Sequence, residues 1–373
     1  MSEKYAPEVI KHKPKMEMLP SPDSANWLRA SVVIHGETVI MAKADGEFNL
    51  LKYERGGATY TTNKYGRQET PETLQAVADA AKKLSKDKSI KTAKFLVEMY
   101  INYDGKLMRV SDFIHYLKGK SHYEASCKEK GCYGKTIQEI RGRIMLGAFD
   151  LIELNGKKIN EPQLWKLEEM ERMLGKGTKD RFHVLPWTYV GVVSPSTVRK
   201  EIASAWDKWK EKQGWEGLVV YADGTYKIKN EYEIDAVIVA INKNDGYSKK
   251  QGTSIKLAVV KDKNQFVEIG DVASGISLKM RSFLWSYYKK YGLDETPQAA
   301  YVKPMFVVKI TLTDFFKKNM DTWKLVGKRR ILTGTTPSIT MRHPRLVQIR
   351  EDKTVSPHDA GLQQLKILKG DSA

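Results

Sequence analysis

Apolar and polar residues alternate along several segments in the first part of the chain, and this pattern predicts β-strands. The segments are residues 32–40, 48–55, 58–62 and 94–103. Gly56-Gly57 lies between two of them and predicts a hairpin turn. In the last segment, the alternation places Glu98 on the face opposite a row of bulky apolar residues.

Three other segments repeat their apolar residues at helical spacing. One opens at Thr70-Pro71 and continues through Leu84, and the others cover residues 161–174 and 196–212. Strand and helix patterns therefore follow one another along the chain, with more strand early and no internal repeat. The pattern predicts an α+β protein.

Composition indicates the number of domains and a class of partner. The chain has 373 residues, 41% of them hydrophobic, which is enough to bury the cores of two domains. Lysine and arginine together number 63 against 45 for aspartate and glutamate, so the formal net charge is +18. Because this surplus is spread along the chain, it favours a polyanionic partner over a merely soluble basic surface.

The sequence gives no sign of export or membrane attachment. No apolar run reaches membrane-spanning length, and no basic amphipathic helix stands out. Residues 1–18 lack the apolar core of a secretory signal. We therefore expect an intracellular protein, in the cytoplasm or nucleoid, with no membrane partner.

Two cysteines, Cys127 and Cys132, fit a reducing compartment. Together with His115 and His122 they form four potential zinc ligands, but their spacing matches no common zinc site. Residues 118–135 are rich in lysine, glycine and serine. Free thiols in an exposed loop are therefore the favoured interpretation.

Candidate chemistry begins at Lys43, which is followed by Asp45 and Gly46 in the pattern Lys-x-Asp-Gly. A lysine amine is nucleophilic only when neutral, so burial or nearby cations must lower its pKa. The glycine turn lets a phosphate approach closely. Alone, the pattern is also typical of a solvated surface turn.

Four downstream segments carry residues of related chemistry. Glu98 can accept hydrogen bonds from ribose hydroxyls, unless it is an edge-strand glutamate in water. Phe149 can stack on a purine, although phenylalanine in an apolar strand is usually core. Glu216 stands at the head of an apolar strand, a natural place for a Mg²⁺ ligand. Lys227 and Lys229 share one face of a predicted strand, where two ammonium groups can hold a phosphate.

The order of these segments resembles the nucleotidyltransferase motif series of ATP-dependent DNA ligases and mRNA-capping enzymes. Residues 341–353 resemble the last motif of the DNA ligases, which closes with Arg-x-Asp-Lys, here Arg350 to Lys353. The resemblance implies a nucleotidyltransferase domain of ATP-grasp-like antiparallel sheets with helices over residues 1–231. It implies an OB-fold barrel over residues 232–373, in a compact ligase without the preceding helical DNA-binding domain.

The resemblance also implies a mechanism of three phosphoryl transfers. Lys43 attacks the α-phosphate of ATP and expels pyrophosphate. The AMP then passes to the 5′-phosphate at a nick in double-stranded DNA, and the adjacent 3′-hydroxyl displaces it. The implied cofactors are ATP and Mg²⁺, for which Mn²⁺ can substitute, and the enzyme is expected to be a monomer.

Each motif residue receives a role from the resemblance. Asp45 holds Lys43 and nearby metal-bound waters in place, and Gly46 belongs to the nucleotide-binding residues. Glu98 binds ribose and Phe149 stacks on adenine. Glu216 is the implied Mg²⁺ ligand. The other implied roles fall to basic residues, with Lys227 and Lys229 on phosphates, Arg350 and Lys353 on the departing pyrophosphate, and Lys64, Arg342 and Arg345 on DNA.

Phe48 departs from the ligase pattern, because ligases usually carry an arginine at that place. Lys52 or Arg55 would substitute only if the hairpin directed them into the pocket. Three alternatives to a DNA ligase are an RNA-capping guanylyltransferase, an RNA ligase and a non-enzymatic basic OB-fold protein. The ligase-like closing motif argues against the first, the barrel against the second and the intact Lys43 and Glu216 against the third.

Overall fold

A computed structural model describes residues 16–24, 27–103, 105–108, 137–243 and 254–365. It divides into two compact units, Met1–Lys229 and Asn230–Ala373, which we call the N-terminal unit and the C-terminal unit. The proposed thiol or zinc residues His115, His122, Cys127 and Cys132 lie outside the described residues. Within those residues, no helix is both long and apolar enough to cross a membrane.

Strands dominate the N-terminal unit. They are β1 (Glu17–Leu19), β2 (Glu37–Lys43), β3 (Glu47–Glu54), β4 (Tyr60–Asn63), β5 (Gln68–Glu69), β6 (Thr92–Tyr103), β7 (Lys106–Leu107), β8 (Ile144–Leu154), β9 (Lys157–Lys158), β10 (Phe182–Val184), β11 (Trp187–Val192), β12 (Gly217–Tyr221) and β13 (Thr225–Lys229). The helices are α1 (Trp27–Ala30), α2 (Gln75–Ser85), α3 (Ile137–Arg141), α4 (Gln163–Leu174) and α5 (Pro195–Ala205).

These strands form two mainly antiparallel sheets. The first has the order β1-β13-β12-β2-β11 and the second the order β10-β8-β6-β3-β4-β5, with β7 beside β6 and β9 beside β8. Only β1 with β13 and β8 with β10 pair in parallel among the described strands. One apolar core runs between the sheets and α2, α4 and α5, and it includes Ile40, Phe95, Val77, Leu167 and Ile202. The predicted α+β class is confirmed.

Two element boundaries differ from the sequence prediction. The strand predicted at 32–40 is wrong at its start, because Ser31–Val33 form a 3₁₀ turn and Gly36 takes a φ of +87° before β2 begins. The helix predicted to open at Thr70 begins at Gln75. There, the backbone N–H groups of Thr73 and Leu74 both donate to the Thr70 carbonyl and form a separate turn.

The helix predicted over residues 196–212 changes type partway. Regular helix α5 ends at Ala205, and Trp206–Glu211 continue as a π-helical turn. Trp206 and Trp209 are both buried in this turn. A π turn inserts an extra residue, which alters the angular spacing of the side chains.

The C-terminal unit is rich in strands, five of which form a closed barrel. Its strands are β14 (Tyr232–Asn242), β15 (Ser254–Asp262), β16 (Gln265–Val272), β17 (Gly292–Glu295), β18 (Ala299–Val302), β19 (Val307–Leu312), β20 (Asp314–Val326), β21 (Arg329–Arg342) and β22 (Arg345–Ile349), with helices α6 (Leu278–Tyr291) and α7 (Pro357–Ala360).

The barrel closes through β14, β15, β16, β22 and β19. The first three form a meander, β19 pairs with both β14 and β22, and a bridge from Ser274 to Arg345 joins the end of β16 to β22. Helix α6 lies between the third and fourth barrel strands in the chain, and β20 and β21 form a long hairpin beside β16. A five-stranded barrel of this kind is the predicted OB fold.

Candidate active site

The pairing of three neighbouring strands brings Lys43, Glu216 and Lys229 together. Gly217, at the start of β12, pairs with Lys43 at the end of β2 and with Lys229 at the end of β13. The backbone N–H of Glu216 donates to the Lys43 carbonyl over 2.9 Å. A side chain at position 217 would collide with the Ile228 carbonyl, which a Cβ would approach to 2.2 Å. Glycine therefore permits the close strand contact that places Glu216 between the two lysines.

The Glu216 carboxylate binds both ammonium groups. Lys43 Nζ lies 2.5 Å from Oε2, and Lys229 donates to Oε1. The three side chains are largely buried, with exposures of 18%, 15% and 12% for Lys43, Glu216 and Lys229. The cluster thus holds two cations against one carboxylate, with little exposure to solvent.

The electrostatics differ from the sequence expectation for a nucleophilic lysine. Burial lowers the pKa of Lys43, but the negative charges of Glu216, Glu98 and Asp45 outweigh burial, and the net pKa is raised. Burial and the positive charge of Lys43 lower the pKa of Lys229. Burial opposes ionisation of Glu216, yet the two lysines dominate and lower its pKa to about 2. In the free protein, Lys43 is therefore a protonated ammonium paired with a carboxylate.

Gly46 lets the turn after Lys43 lie directly against β6. A Cβ at this position would come within 2.4 Å of the Met99 carbonyl oxygen and 2.7 Å of Glu98 Cγ. Glu98 itself is only 8% exposed and lies on a strand flanked by β3 and β8. The alternative interpretation of Glu98 as an edge-strand glutamate in water is therefore wrong.

One cavity of the N-terminal unit gathers four of the predicted site residues, Lys43, Glu98, Phe149 and Lys227. Lys227 precedes Lys229 by two residues on β13, and its backbone pairs with Val219 on β12. Val219 in turn pairs with Met41 on β2. The remaining lining is mostly apolar and consists of Met16, Met41, Ala42, Ala44, Phe48, Leu185, Val219 and Tyr221. The cavity therefore combines ionic groups at one part of its wall with a surface suited to a planar, apolar ring.

Phe48 contributes to this cavity and was not predicted to do so. It is 7% exposed, and its ring centroid lies 6.1 Å from that of Phe149. Neither proposed substitute for the missing arginine is placed as that role requires. Arg55 donates to the carbonyls of Ile90 and Ser85, and the Lys52 ammonium lies over the Tyr60 ring. The clue in the sequence was the alternation of Phe48 with Leu50, which together with Leu96 forms a small apolar cluster.

Backbone and side-chain contacts fix the segment that carries Phe149. Gln163, at the start of α4, donates from Nε2 to the Phe149 carbonyl over 2.7 Å. One turn later, Lys166 forms an ion pair of 2.9 Å with Asp150. Helix α4 therefore holds the strand that presents the Phe149 ring.

No protein-only metal cage is visible in the part of the chain that the structure describes, since no three His, Cys, Asp or Glu side chains gather there. Glu216 supplies one carboxylate beside the cavity-lining Lys43. Mg²⁺ in nucleotide sites commonly uses one or two carboxylates, with phosphates and waters completing its coordination. Glu216 fits that mode of binding.

The residues of the closing motif meet within the C-terminal unit. Arg350 Nη1 lies 3.2 Å from one Asp235 carboxylate oxygen, and Lys353 Nζ lies 2.6 Å from the other. Among the predicted DNA contacts, Lys64 and Arg345 are exposed, whereas Arg342 lies 3.8 Å from Asp314 and is 17% exposed. The roles assigned to all these residues remain predictions.

Comparison with known protein families finds one matching region. Residues 248–353 match the model of the ATP dependent DNA ligase C terminal region. No curated protein matches the chain in sequence.

Solved structures match almost the whole chain. A structure described as Pmar-Lig_PreS3 superposes with a TM-score of 0.57 at 16% identity, covering 90% of this chain and 67% of its own. A structure from a structure-function analysis of Lig E DNA ligases gives 0.50 at 11% identity, covering 92% and 100%. Residues 248–353 thus match the C-terminal region of ATP-dependent DNA ligases, and the chain has the fold of these proteins, which confirms the resemblance seen in its motifs.

Proposed function

We propose that this protein is an ATP-dependent DNA ligase that seals nicks in duplex DNA through a covalent lysyl-AMP intermediate. The observation that carries this proposal is the position of Lys43, whose ammonium shares a cavity with Glu98, Phe149 and Lys227. The matched C-terminal region supports the DNA ligases over capping enzymes and RNA ligases. The paired Lys43 and Glu216 argue against a protein that only binds nucleic acid.

In the first step, Lys43 Nζ attacks the α-phosphorus of ATP. A nitrogen–phosphorus bond forms, the bond to pyrophosphate breaks, and the lysine nitrogen loses two of the three protons of its ammonium form to solvent. Because Glu216 holds Lys43 protonated in the free protein, the attack requires that this ion pair weaken when the nucleotide is bound. Bound Mg²⁺ would be held by Glu216 and the phosphates, and would stabilise the negative charge that develops on them.

The apolar and the charged parts of the cavity wall bind different parts of AMP. The Phe149 ring offers a face for adenine, and Phe48 and Tyr221 extend the apolar surface. The Glu98 carboxylate accepts hydrogen bonds from the ribose hydroxyls. Lys227 and Lys229 provide positive charge for the phosphate, which stabilises each of the three phosphoryl transfers.

Nicked duplex DNA is the proposed partner, bound by a monomer. The formal net charge of +18 suits the phosphate backbone, and a nick carries no sequence information that the protein must read. Lys64 and Arg345 are exposed and available for such contacts. The AMP passes from Lys43 to the 5′-phosphate, and the 3′-hydroxyl then displaces it as the new phosphodiester forms.

Incubation with Mg²⁺ and α-labelled ATP or GTP tests this proposal. We expect transfer of one AMP from ATP to the native protein, observed as an intact-mass increase, and none to the Lys43→Ala variant. Lys43→Arg should also fail, because arginine stays protonated. Lys52→Ala, which removes a neighbouring lysine, is the matched control and should label normally. Labelling by GTP alone, or labelling of Lys43→Ala, would contradict the assignment.

A further inference from the structure

Asp235 connects the two cations of the closing motif. It lies on β14, the first barrel strand, and each of its carboxylate oxygens accepts from one cation, Arg350 at 3.2 Å and Lys353 at 2.6 Å. The Asp235 side chain is 13% exposed. The two cations offset the cost of holding this carboxylate largely away from water.

The position of Asp235 is fixed independently of these ion pairs. Its backbone pairs with Lys309 of β19. Its N–H donates to Gln364 Oε1 over 3.0 Å, and Gln364 Nε2 donates to its carbonyl over 3.3 Å. The carboxylate therefore projects from a rigid strand, whereas Arg350 and Lys353 follow the last barrel strand and carry long side chains.

Asp352 contacts only one of the two cations. Its carboxylate binds Arg350 at Nε and Nη2, over 2.9 and 2.6 Å, and is 64% exposed. Arg350 thus has an exposed partner, Asp352, and a largely buried one, Asp235. Only Asp235 bonds to both Arg350 and Lys353 among the contacts described for the barrel.

We propose that Asp235 is a positioning residue for the first phosphoryl transfer. It sets the separation of the Arg350 and Lys353 charges, so that both can act on the departing pyrophosphate together. Cations that are already oriented lose less rotational freedom when the phosphate arrives. This inference rests on the proposed ligase function, and it adds a residue that does not touch the reacting atoms.

The test compares Asp235→Asn with Glu233→Gln in two assays, self-adenylylation and the sealing of nicks that already carry AMP. Asparagine keeps the size of the side chain but has one acceptor and no charge, so one cation loses its partner. We expect Asp235→Asn to slow self-adenylylation at saturating ATP by about 10-fold or more, in line with the loss of one preorganised charge contact. Sealing of pre-adenylylated nicks should change less than about 2-fold, because no pyrophosphate leaves in that reaction.

Glu233→Gln is the matched control. Glu233 lies on the same strand and face as Asp235, but it pairs with Lys309 at 2.6 Å and is 45% exposed. It should keep both activities near those of the native protein. Equal slowing by both variants would show that general negative charge on β14 matters, and would overturn the positioning role.

A triple variant separates positioning from folding. If Asp235 acts through the two cations, Asp235→Asn should slow self-adenylylation little further in an Arg350→Ala, Lys353→Ala background. Full additivity would overturn the proposal, as would loss of both activities to the same degree in a variant that melts like the native protein.

If Asp235→Asn does not fold, Asp235→Glu, which keeps the charge but moves it by one methylene, should show the same selective loss. Native protein that takes no AMP would refute the ligase function itself, whereas native rates in Asp235→Asn would refute only this inference.

Discussion

Glu216 is the central carboxylate of the candidate site. It binds the ammonium groups of both Lys43 and Lys229 in a largely buried place, and Glu98 and Asp45 add negative charge nearby. The nucleotide phosphate is proposed to bind beside Lys227 and Lys229, whose positive charges attract it. The same Glu216 charge holds the proton on Lys43 and so opposes its reactivity in the free protein.

Replacing Glu216 by glutamine should therefore lower the pKa of Lys43. In the native protein, the pKa of Lys43 is raised, so its amine becomes reactive only at high pH. Without the Glu216 charge and hydrogen bond, burial acts against the remaining charges of Glu98 and Asp45 alone, so the pKa of Lys43 should fall and its reactivity should appear at lower pH. The measurement is the pH profile of Lys43 modification by an amine-reactive reagent, read by peptide mass spectrometry. Exposed Lys158 in the same digest is the internal control, and an unchanged Lys43 profile would contradict the argument.

At the scale of elements, the turn between β2 and β3 fixes Lys43 against β6. Gly46→Ala places a methyl group 2.4 Å from the Met99 carbonyl, so the turn must move and carry Lys43 with it. We expect self-adenylylation to fall about 100-fold, since a displacement of about 1 Å is enough for such a loss. The readout is the rate of AMP attachment, alongside the melting temperature.

Gly56→Ala is the control for this prediction. Gly56 has a φ of +72° and no atom within 4 Å of an added Cβ, so alanine strains the backbone without a collision. It should cost about 1 kcal/mol of stability and leave AMP attachment unchanged. If the two alanine variants lose activity equally, general destabilisation rather than the contact at Gly46 explains the loss.

The hydrophobic pattern predicted which strands and helices form more accurately than it predicted where they begin and end. The alternation around Glu98 and the turn at Gly56-Gly57 are both found, because side-chain period and glycine conformation are local properties. The start of α2 was missed because a turn closed by the Thr70 carbonyl replaces the first helical turn. The π turn at Trp206 depends on packing in the core, which periodicity does not encode.

At the scale of the whole molecule, the surplus of 18 positive charges predicts how DNA binding responds to salt. If about six phosphates are neutralised, the affinity for a nicked duplex should fall by about 10³-fold between about 50 and 200 mM salt. Two nicked duplexes of different sequence should bind alike, because backbone contacts carry no sequence information. Binding titrations at several salt concentrations measure both. A sequence-selective footprint, or affinity indifferent to salt, would count against a ligase that binds the backbone.

The candidate site was predictable where single residues carry the chemistry and unpredictable where distant residues meet. The residues Lys43, Glu98, Phe149 and Lys227 share a cavity. This was predictable because their order along the chain follows the motifs of a known family. The raised pKa of Lys43 was not foreseen, since it depends on a carboxylate 173 positions away in sequence. Likewise, Asp235 gave no signal in the sequence as a partner of Arg350, because only barrel closure brings them together.

The two units are expected to divide the reaction between them, and the division is testable. Arg350 and Lys353 are proposed to act only on the departing pyrophosphate, so Arg350→Ala or Lys353→Ala should strongly slow self-adenylylation yet largely preserve the sealing of pre-adenylylated nicks. Glu216→Ala should impair both reactions, because a metal ligand serves every phosphoryl transfer whereas leaving-group cations serve one.

Arg345→Ala is the control within the same barrel, since Arg345 is exposed and proposed to contact DNA. It should weaken nick binding and leave self-adenylylation intact. Equal loss of pre-adenylylated sealing in the Arg350 and Glu216 variants would show that the closing motif serves later steps as well.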